Sequence, residues 1–167
     1  MIFVTVGTHE QQFDRLVKFI DDLKKDSVIK EEVIIQTGFS DYEPKYCKWK
    51  KLFPYQDMIK MVNEARIVIT HGGPSSFIMP LQIGKIPIVV PRKKEYGEHV
   101  NDHQVLFCKQ VQSRYKNIIV VDNIEDLKEN ILNYEDEIQN IKSVGFGNNI
   151  MFCEKFNDIV KELMDSK

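Results

Sequence analysis

The sequence predicts an α/β fold in which a parallel β-sheet is covered by helices on both faces. Short apolar segments without polar alternation, at residues 2–6, 66–70 and 87–90, read as strands buried on both sides. Between the strands run stretches with apolar residues at helical spacing, such as Phe13, Leu16, Val17, Ile20 and Leu23. Strands that alternate with helices pair in parallel, because each helix returns the chain to the same end of the sheet.

Taken in order, residues 2–6 are the first strand and Gly7-Thr8-His9 the turn after it. A helix follows on the stripe beginning at Phe13. Residues 32–36 form a second strand closed by Thr37-Gly38, and a polar loop at 41–44 leads to a third near 46–50. There Tyr46, Cys47, Trp49 and Leu52 alternate with lysines, which predicts a half-buried strand with a solvated lysine face. Residues 56–63 are a short helix and 66–70 the central strand. The next helix starts near Pro74-Ser75, where a proline's missing N–H would be unpaired anyway. Pro80 falls inside this helix and is expected to kink or divide it. Residues 87–90 are a fifth strand, 99–112 a helix, 117–121 a sixth strand, and 123–133 a helix with Asn123 as its N-cap. From Asn149, the residues Phe152, Phe156, Ile159, Val160 and Leu163 give one face of a terminal helix (149–167), suited to core packing or to docking a partner. A chain of 167 residues without repeat or linker is expected to be one domain, 1–167.

A net charge of −2 and a pI near 6.1 argue against a general nucleic-acid binder, which needs a basic face. Cys47, Cys108 and Cys153 are widely spread with no C-x-x-C pair, as expected of reduced thiols in a cytosolic protein. The start of the chain lacks the basic and apolar regions of a signal peptide. No apolar run approaches the ~20 residues of a membrane span, so attachment to a membrane would need something else to provide it.

The most informative stretch is Thr70-His71-Gly72-Gly73-Pro74-Ser75-Ser76, followed by Gly84-Lys85-Ile86-Pro87 and by His99-Val100-Asn101-Asp102-His103-Gln104. Glycines after a strand let backbone approach an anion closely, and N–H groups at a helix start point at it unpaired. In a parallel sheet ligands bind beyond the carboxyl ends of the strands, which places the site among residues 7–10, 38–40, 53–55, 71–76 and 91–103. There is no G-x-G-x-x-G after the first strand and no G-x-x-x-x-G-K-[ST], so dinucleotide oxidoreductase and P-loop readings lose their main support. No Asp-x-Asp stands in these loops, and Glu135-Asp136-Glu137 reads as solvated surface. His99 and His103, four apart on the expected helix, share a face but lack a third ligand, so no metal is expected.

In order and spacing, Val4-Thr5-Val6-Gly7-Thr8-His9, Phe53-Pro54-Tyr55-Gln56-Asp57-Met58, the His71 loop, Gly84-Lys85-Ile86-Pro87 and Asn101-Asp102-His103-Gln104 resemble the C-terminal domain of family 28 glycosyltransferases. Within that group the chain is most similar to stand-alone catalytic subunits of bacterial capsule and exopolysaccharide β-1,4-galactosyltransferases. These are related to the small subunit of the eukaryotic dolichol-linked N-acetylglucosamine transferase. The resemblance implies a Rossmann-like sheet equivalent to the donor-binding C-terminal half of a GT-B glycosyltransferase. It implies a UDP-sugar donor, most simply UDP-galactose, used with inversion, and with no acidic ligand set in the loops no metal or other cofactor is expected. It implies a lipid-linked saccharide acceptor, a membrane-associated acceptor-binding subunit as partner, and a cytoplasmic site of action at the inner membrane face.

By the same resemblance His71, Gly72, Gly73, Pro74, Ser75 and Ser76 cradle the diphosphate, and Gly7, Thr8 and His9 face it. Phe53 and Pro54 hold the uracil, while Asn101, His103 and Gln104 reach the sugar or the phosphates. Arg92, nearest the end of its strand, is the best counter-charge for the diphosphate. His9, and after it Glu10, are the candidates for a general base. Met79 stands where many members carry a ribose-binding glutamate, so ribose recognition comes from elsewhere or is weaker. The alternative function is a non-catalytic nucleotide-sugar-binding or scaffolding subunit, which Met79 favours. A branched side chain at Gly73 is expected to abolish donor binding by blocking the phosphate while leaving the fold intact.

Overall fold

In chain order the elements are β1 (Ile2–Thr5), α1 (Asp14–Lys25), β2 (Val33–Gln36), β3 (Lys48–Lys50), α2 (Tyr55–Glu64), β4 (Ile67–His71), α3 (Pro74–Gln82), β5 (Ile88–Val90), α4 (His103–Tyr115), β6 (Ile119–Val120), α5 (Leu127–Leu132) and α6 (Tyr134–Lys142). The computed structural model describes residues 1–142, so the expected helix at 149–167, like Cys153, lies outside the described residues. The six strands form one sheet in the order β3-β2-β1-β4-β5-β6, with every neighbouring pair parallel. The chain builds outward from β1 to β3 and then returns to the other side of β1 with β4. That reversal opens a crevice between the carboxyl ends of β1 and β4.

Alternation along the strands divides the core in two. Ile2, Val4, Ile67, Ile69, Ile88 and Val90 pack on one face against Leu16, Val17 and Ile20 of α1 and Leu127 and Ile131 of α5. On the other face Phe3 and Val68 meet Val62 of α2 and Met79 of α3, while Val89 meets Phe77 and Cys108. Burial pushes the Cys47 and Cys108 thiols up to about 12, so both stay protonated and behave as small apolar groups.

Two charged side chains hold the loops that the helices cannot reach. The fully buried Asp21 on α1 accepts from the Tyr42 hydroxyl and from the backbone N–H groups of Lys45, Tyr46 and Cys47, all at 2.8–2.9 Å. Burial pushes its carboxyl up, but these four bonds outweigh that and hold it below the usual range. Lys85 turns its ammonium onto the carbonyls of Val62, Asn63 and Ala65, closing the open end of α2.

Several elements differ from their sequence-based expectations for identifiable reasons. β3 is an edge strand, so Trp49 is exposed instead of half-buried, as are Tyr46 and Leu52. Cys47 alone of the expected apolar set is buried. Pro80 does not divide α3, because it sits in the last turn, where its missing N–H removes one bond just before the helix ends. α4 begins at His103, four residues later than expected, since Asn101 Oδ1 accepts the His103 N–H at 3.2 Å and so ends the preceding bend. The segment after Asn123 opens with a 3-10 turn before α5, with the Asn123 side chain capping Glu125 N–H as expected.

Replacing Asp21 by alanine strands three backbone donors and a tyrosine hydroxyl. Urea denaturation of Asp21→Ala is expected to show a loss of about 3 kcal/mol. A loss of less than about 1 kcal/mol would mean that the 42–47 loop holds without the carboxylate.

Candidate functional site

A cleft of about 550 Å³ opens at the carboxyl ends of β1 and β4. Gly7, Thr8 and His9 line it from the loop after β1, and His71, Ser75 and Ser76 from β4 and the start of α3. Phe53, Tyr55, Met58, Val62 and Met79 form its apolar wall, and Thr5 and Gln36 its polar floor. The floor is a chain of hydrogen bonds. Thr5 Oγ1 accepts from Gly7 N–H (3.1 Å) and from Gln36 Nε2 (3.0 Å), and Gln36 Oε1 accepts from Phe53 N–H (3.0 Å). The ends of β1 and β2 thereby hold the loops after β1 and β3 in one register.

His71 organises the loop that follows it. The residue is only 8% exposed, and its Nδ1 accepts the Gly73 N–H at 3.0 Å. In a neutral imidazole that leaves the proton on Nε2, which donates to Ser76 Oγ at 3.0 Å. Burial, and after it the neighbouring Arg92 charge, lower the ring's pKa to about 4, so this neutral form persists at physiological pH. The flanking glycines exist to make room for the ring. A Cβ on Gly7 would lie 2.3 Å from His71 Nε2, and one on Gly73 would lie 2.2 Å from Cε1. Gly7 also adopts a φ of +77°, which other residues resist. Contrary to the sequence-based expectation, a side chain at Gly73 collides with His71 before it meets any ligand.

Arg92 is also placed differently from expectation. It is fully buried and lies beneath the loops, with Nη1 donating to the carbonyls of Gln11, Gln12 and Glu98 and Nη2 to that of Val6. No part of it lines the cleft, so it positions the walls and does not pair directly with a diphosphate. Gln104 is buried as well, its Oε1 accepting from Arg92 N–H at 3.1 Å. Gly72 backs onto Gln104 and Cys108, where a Cβ would meet atoms at 2.9 and 3.0 Å. Glu98, unmarked by sequence, is fully buried and receives a two-pronged bond from Arg15 at 2.8 and 2.9 Å.

His9, His99 and His103 form a row of rings at the cleft mouth, with centroids 5.0 and 4.5 Å apart. His99 precedes α4, so this contact comes from the bend at 99–102 and not from a shared helix face. His9 Nδ1 accepts from Gln11 N–H at 3.2 Å, which puts the proton of the neutral ring on Nε2. Asn101 Oδ1 already accepts His103 N–H, so the bond between that oxygen and His103 Nδ1 runs from the ring and leaves His103 Nε2 a free acceptor. His103 and Pro74 face a neighbouring hollow with Leu106 and Phe107. Glu10 and Pro54 are exposed and do not line the cleft. Among the described residues, no group of three or more His, Cys, Asp or Glu side chains is arranged to hold a metal ion.

Thr5, Gln36, Met58 and Val62 line the cleft although their sequence positions predict no role there. A signal for two of them nonetheless exists: Thr5 and Gln36 are polar residues closing strands that are otherwise apolar.

The collision at Gly73 predicts a compensation. In wild type Gly73→Ala is expected to cost about 2 kcal/mol, and in a His71→Ala background, where the ring is gone, less than about 0.5 kcal/mol. Equal costs in both backgrounds would show that the ring is not what the glycine accommodates. His71 also carries a pH dependence. Its folded pKa of about 4 lies below the ordinary 6.5, so the unfolded chain takes the proton first as the pH falls. Its contribution is whole above about 6.5 and is lost towards pH 4, by on the order of 3 kcal/mol. Denaturation series at several pH values should show that slope in wild type and its loss in His71→Ala.

In sequence and in fold the chain is similar to known glycosyltransferases. The family model described as glycosyltransferase family 28 C-terminal domain matches residues 1–163. The human UDP-N-acetylglucosamine transferase subunit ALG13 is 31% identical over 119 residues, which make up 66% of this chain but only 10% of the human protein's length. Among solved structures, the glycotransferase of kitacinnamycin superposes with a TM-score of 0.53 at 12% identity, over 85% of this chain and 38% of that one. SnogD from Streptomyces nogalater gives a TM-score of 0.46 at 16% identity, over 72% and 31% of the two chains. The six-stranded parallel sheet with helices on both faces is the Rossmann-like fold of GT-B glycosyltransferase C-terminal domains. With a match across nearly its whole length, this chain belongs to glycosyltransferase family 28, whose C-terminal domain it carries.

Proposed function

We propose that the cleft binds a UDP-sugar and that the chain is the donor-binding, catalytic subunit of an inverting glycosyltransferase. In this reading it transfers a hexose, galactose in the first instance, to a lipid-linked saccharide in capsule or exopolysaccharide synthesis. A membrane-associated subunit at the cytoplasmic face supplies the acceptor site. The observation that carries the reading is the set of donors converging at the crevice: the start of α3 with Ser75 and Ser76, the Gly7–His9 turn, and the His9 Nε2–H. No carboxylate lines the cleft among the described residues. Such a lining suits a diphosphate neutralised by dipoles and hydrogen bonds without a bridging metal. The name of the human relative, a UDP-N-acetylglucosamine transferase subunit, supports a UDP-sugar and a partner, and makes N-acetylglucosamine the donor sugar to test beside galactose.

In the reaction an acceptor hydroxyl attacks the anomeric carbon as that carbon's bond to the β-phosphate oxygen breaks, the hydroxyl proton passes to a base or to water, and charge grows on the departing UDP. The helix start and the His9 N–H stabilise that charge. His9 acts as the general base only if its Nδ1 releases Gln11 N–H and the proton changes nitrogen. One observation favours the non-catalytic alternative: the cleft offers no carboxylate base.

Calorimetry of UDP with and without EDTA is expected to give the same affinity, whereas a requirement for magnesium would overturn the metal-free assignment. His9→Ala is expected to weaken UDP binding ten- to roughly a hundredfold, as for a hydrogen bond to a charged group. Unchanged UDP affinity with lowered turnover would mark His9 as the base instead. Co-expression with a membrane subunit and presentation of UDP-galactose, UDP-glucose and UDP-N-acetylglucosamine tests transfer itself. UDP binding without transfer from any of them would support the non-catalytic role.

A further inference from the structure

We propose that the outer edge of the sheet, around β3, is a docking surface for anionic lipid bilayers. Across residues 45–52 the chain carries four lysines and no carboxylate, in a protein whose net charge is −2. Seven of these eight residues are exposed and only Cys47 is buried. The exposed set includes Tyr46 (52%), Trp49 (40%) and Leu52 (41%), and Phe39 (39%) adjoins it, its ring 5.1 Å from Lys51 Nζ. Lys48 pairs with Glu32 at 2.5 Å, but Lys45, Lys50 and Lys51 have no carboxylate partner among the described residues. The preceding loop contributes the exposed Asp41 and Glu43, and the edge as a whole remains positive.

This combination decides between occupants. Lysines on an edge strand commonly serve to prevent pairing with another sheet, but that purpose is defeated by exposing tryptophan, tyrosine, phenylalanine and leucine beside them. A protein partner is disfavoured because interface cores are depleted in lysine. Aromatic rings with a polar tip, an aliphatic residue and flexible ammonium groups are instead the side chains that settle at the level of lipid headgroups. Each lysine near an anionic leaflet is worth about fivefold in affinity. The inference does not depend on which sugar, if any, the cleft binds.

Trp49 is the only tryptophan in the chain, so its fluorescence reports directly on this edge. The full chain should be mixed with phosphatidylcholine vesicles containing roughly 30% phosphatidylglycerol, and with phosphatidylcholine alone. The expected result is co-sedimentation and a blue shift of emission with the anionic vesicles only, both weakened by high salt. Lys45→Glu combined with Lys51→Glu, both outside β3, should weaken binding at least twentyfold without changing the melting temperature. If that pair disturbs the fold, Lys50→Gln is expected to weaken binding about fivefold on its own. The proposal is overturned if anionic vesicles produce no blue shift, if the lysine variants bind as wild type, or if a single-stranded RNA binds as tightly and displaces the vesicles.

Discussion

A buried cation ties together the loops on which the cleft depends. Arg92 leaves β5 and runs beneath the crevice, where its guanidinium donates to four main-chain carbonyls from the loops after β1 and β5. Phe13 lies against it, 4.8 Å from the ring centroid. Burial lowers its pKa to about 10, which still leaves it charged at physiological pH. Loop carbonyls left unpaired in this place would each carry a desolvation cost, so the two loops hold their shape only together with the cation. Its charge also weighs against protonation of His71, and a protonated His71 could not accept the Gly73 N–H. Arg92 thus raises the positive potential beneath the cleft without occupying it.

The consequence is a site whose polar groups are divided between structure and ligand. His71, Gln36 and Thr5 have their hydrogen-bonding capacity used inside the protein, which fixes the walls. The side chains of Thr8, Ser75 and Tyr55 remain turned to the open space. Donors held in place by neighbouring bonds need little reorganisation when charge develops near them. Loop residues placed this way answer to the scaffold beneath them, and the glycines at positions 7 and 73 are part of that scaffold.

The parallel sheet, its helices and the location of the crevice were legible because strand burial, helical periodicity and glycine at strand ends are local signals. His71, Ser75, Ser76 and the Gly7–His9 turn were legible for the same reason. What each residue does within the site was less so, because burial and partners come from distant parts of the chain. Arg92 looks like a loop cation until Gln11 and Gln12, some 80 residues earlier, are seen to receive it. Asp21 resembles any helix-surface carboxylate until the 42–47 loop closes over it. Trp49 reads as half-buried by alternation, and only its position on the last strand of the sheet leaves it in solvent.

That edge is not mechanically separate from the cleft. β3 is joined to the loop after β2 through Thr37 N–H to Lys50 carbonyl and Gly38 N–H to Lys51 carbonyl, at 3.1 and 2.9 Å. Phe53 follows directly, its N–H held by Gln36 and Gln36 in turn by Thr5, beside the turn that begins at Gly7. A short run of main-chain and buried side-chain bonds therefore connects the lysine-bearing edge to the floor of the crevice, with Phe53 and Tyr55 forming its wall on the way. These bonds tie the edge, Phe53 and Gly7 into one connected unit. If a bilayer seats itself on β3, it orients the whole crevice with it, and the mouth marked by His9, His99 and His103 then takes up a fixed attitude towards the lipid surface.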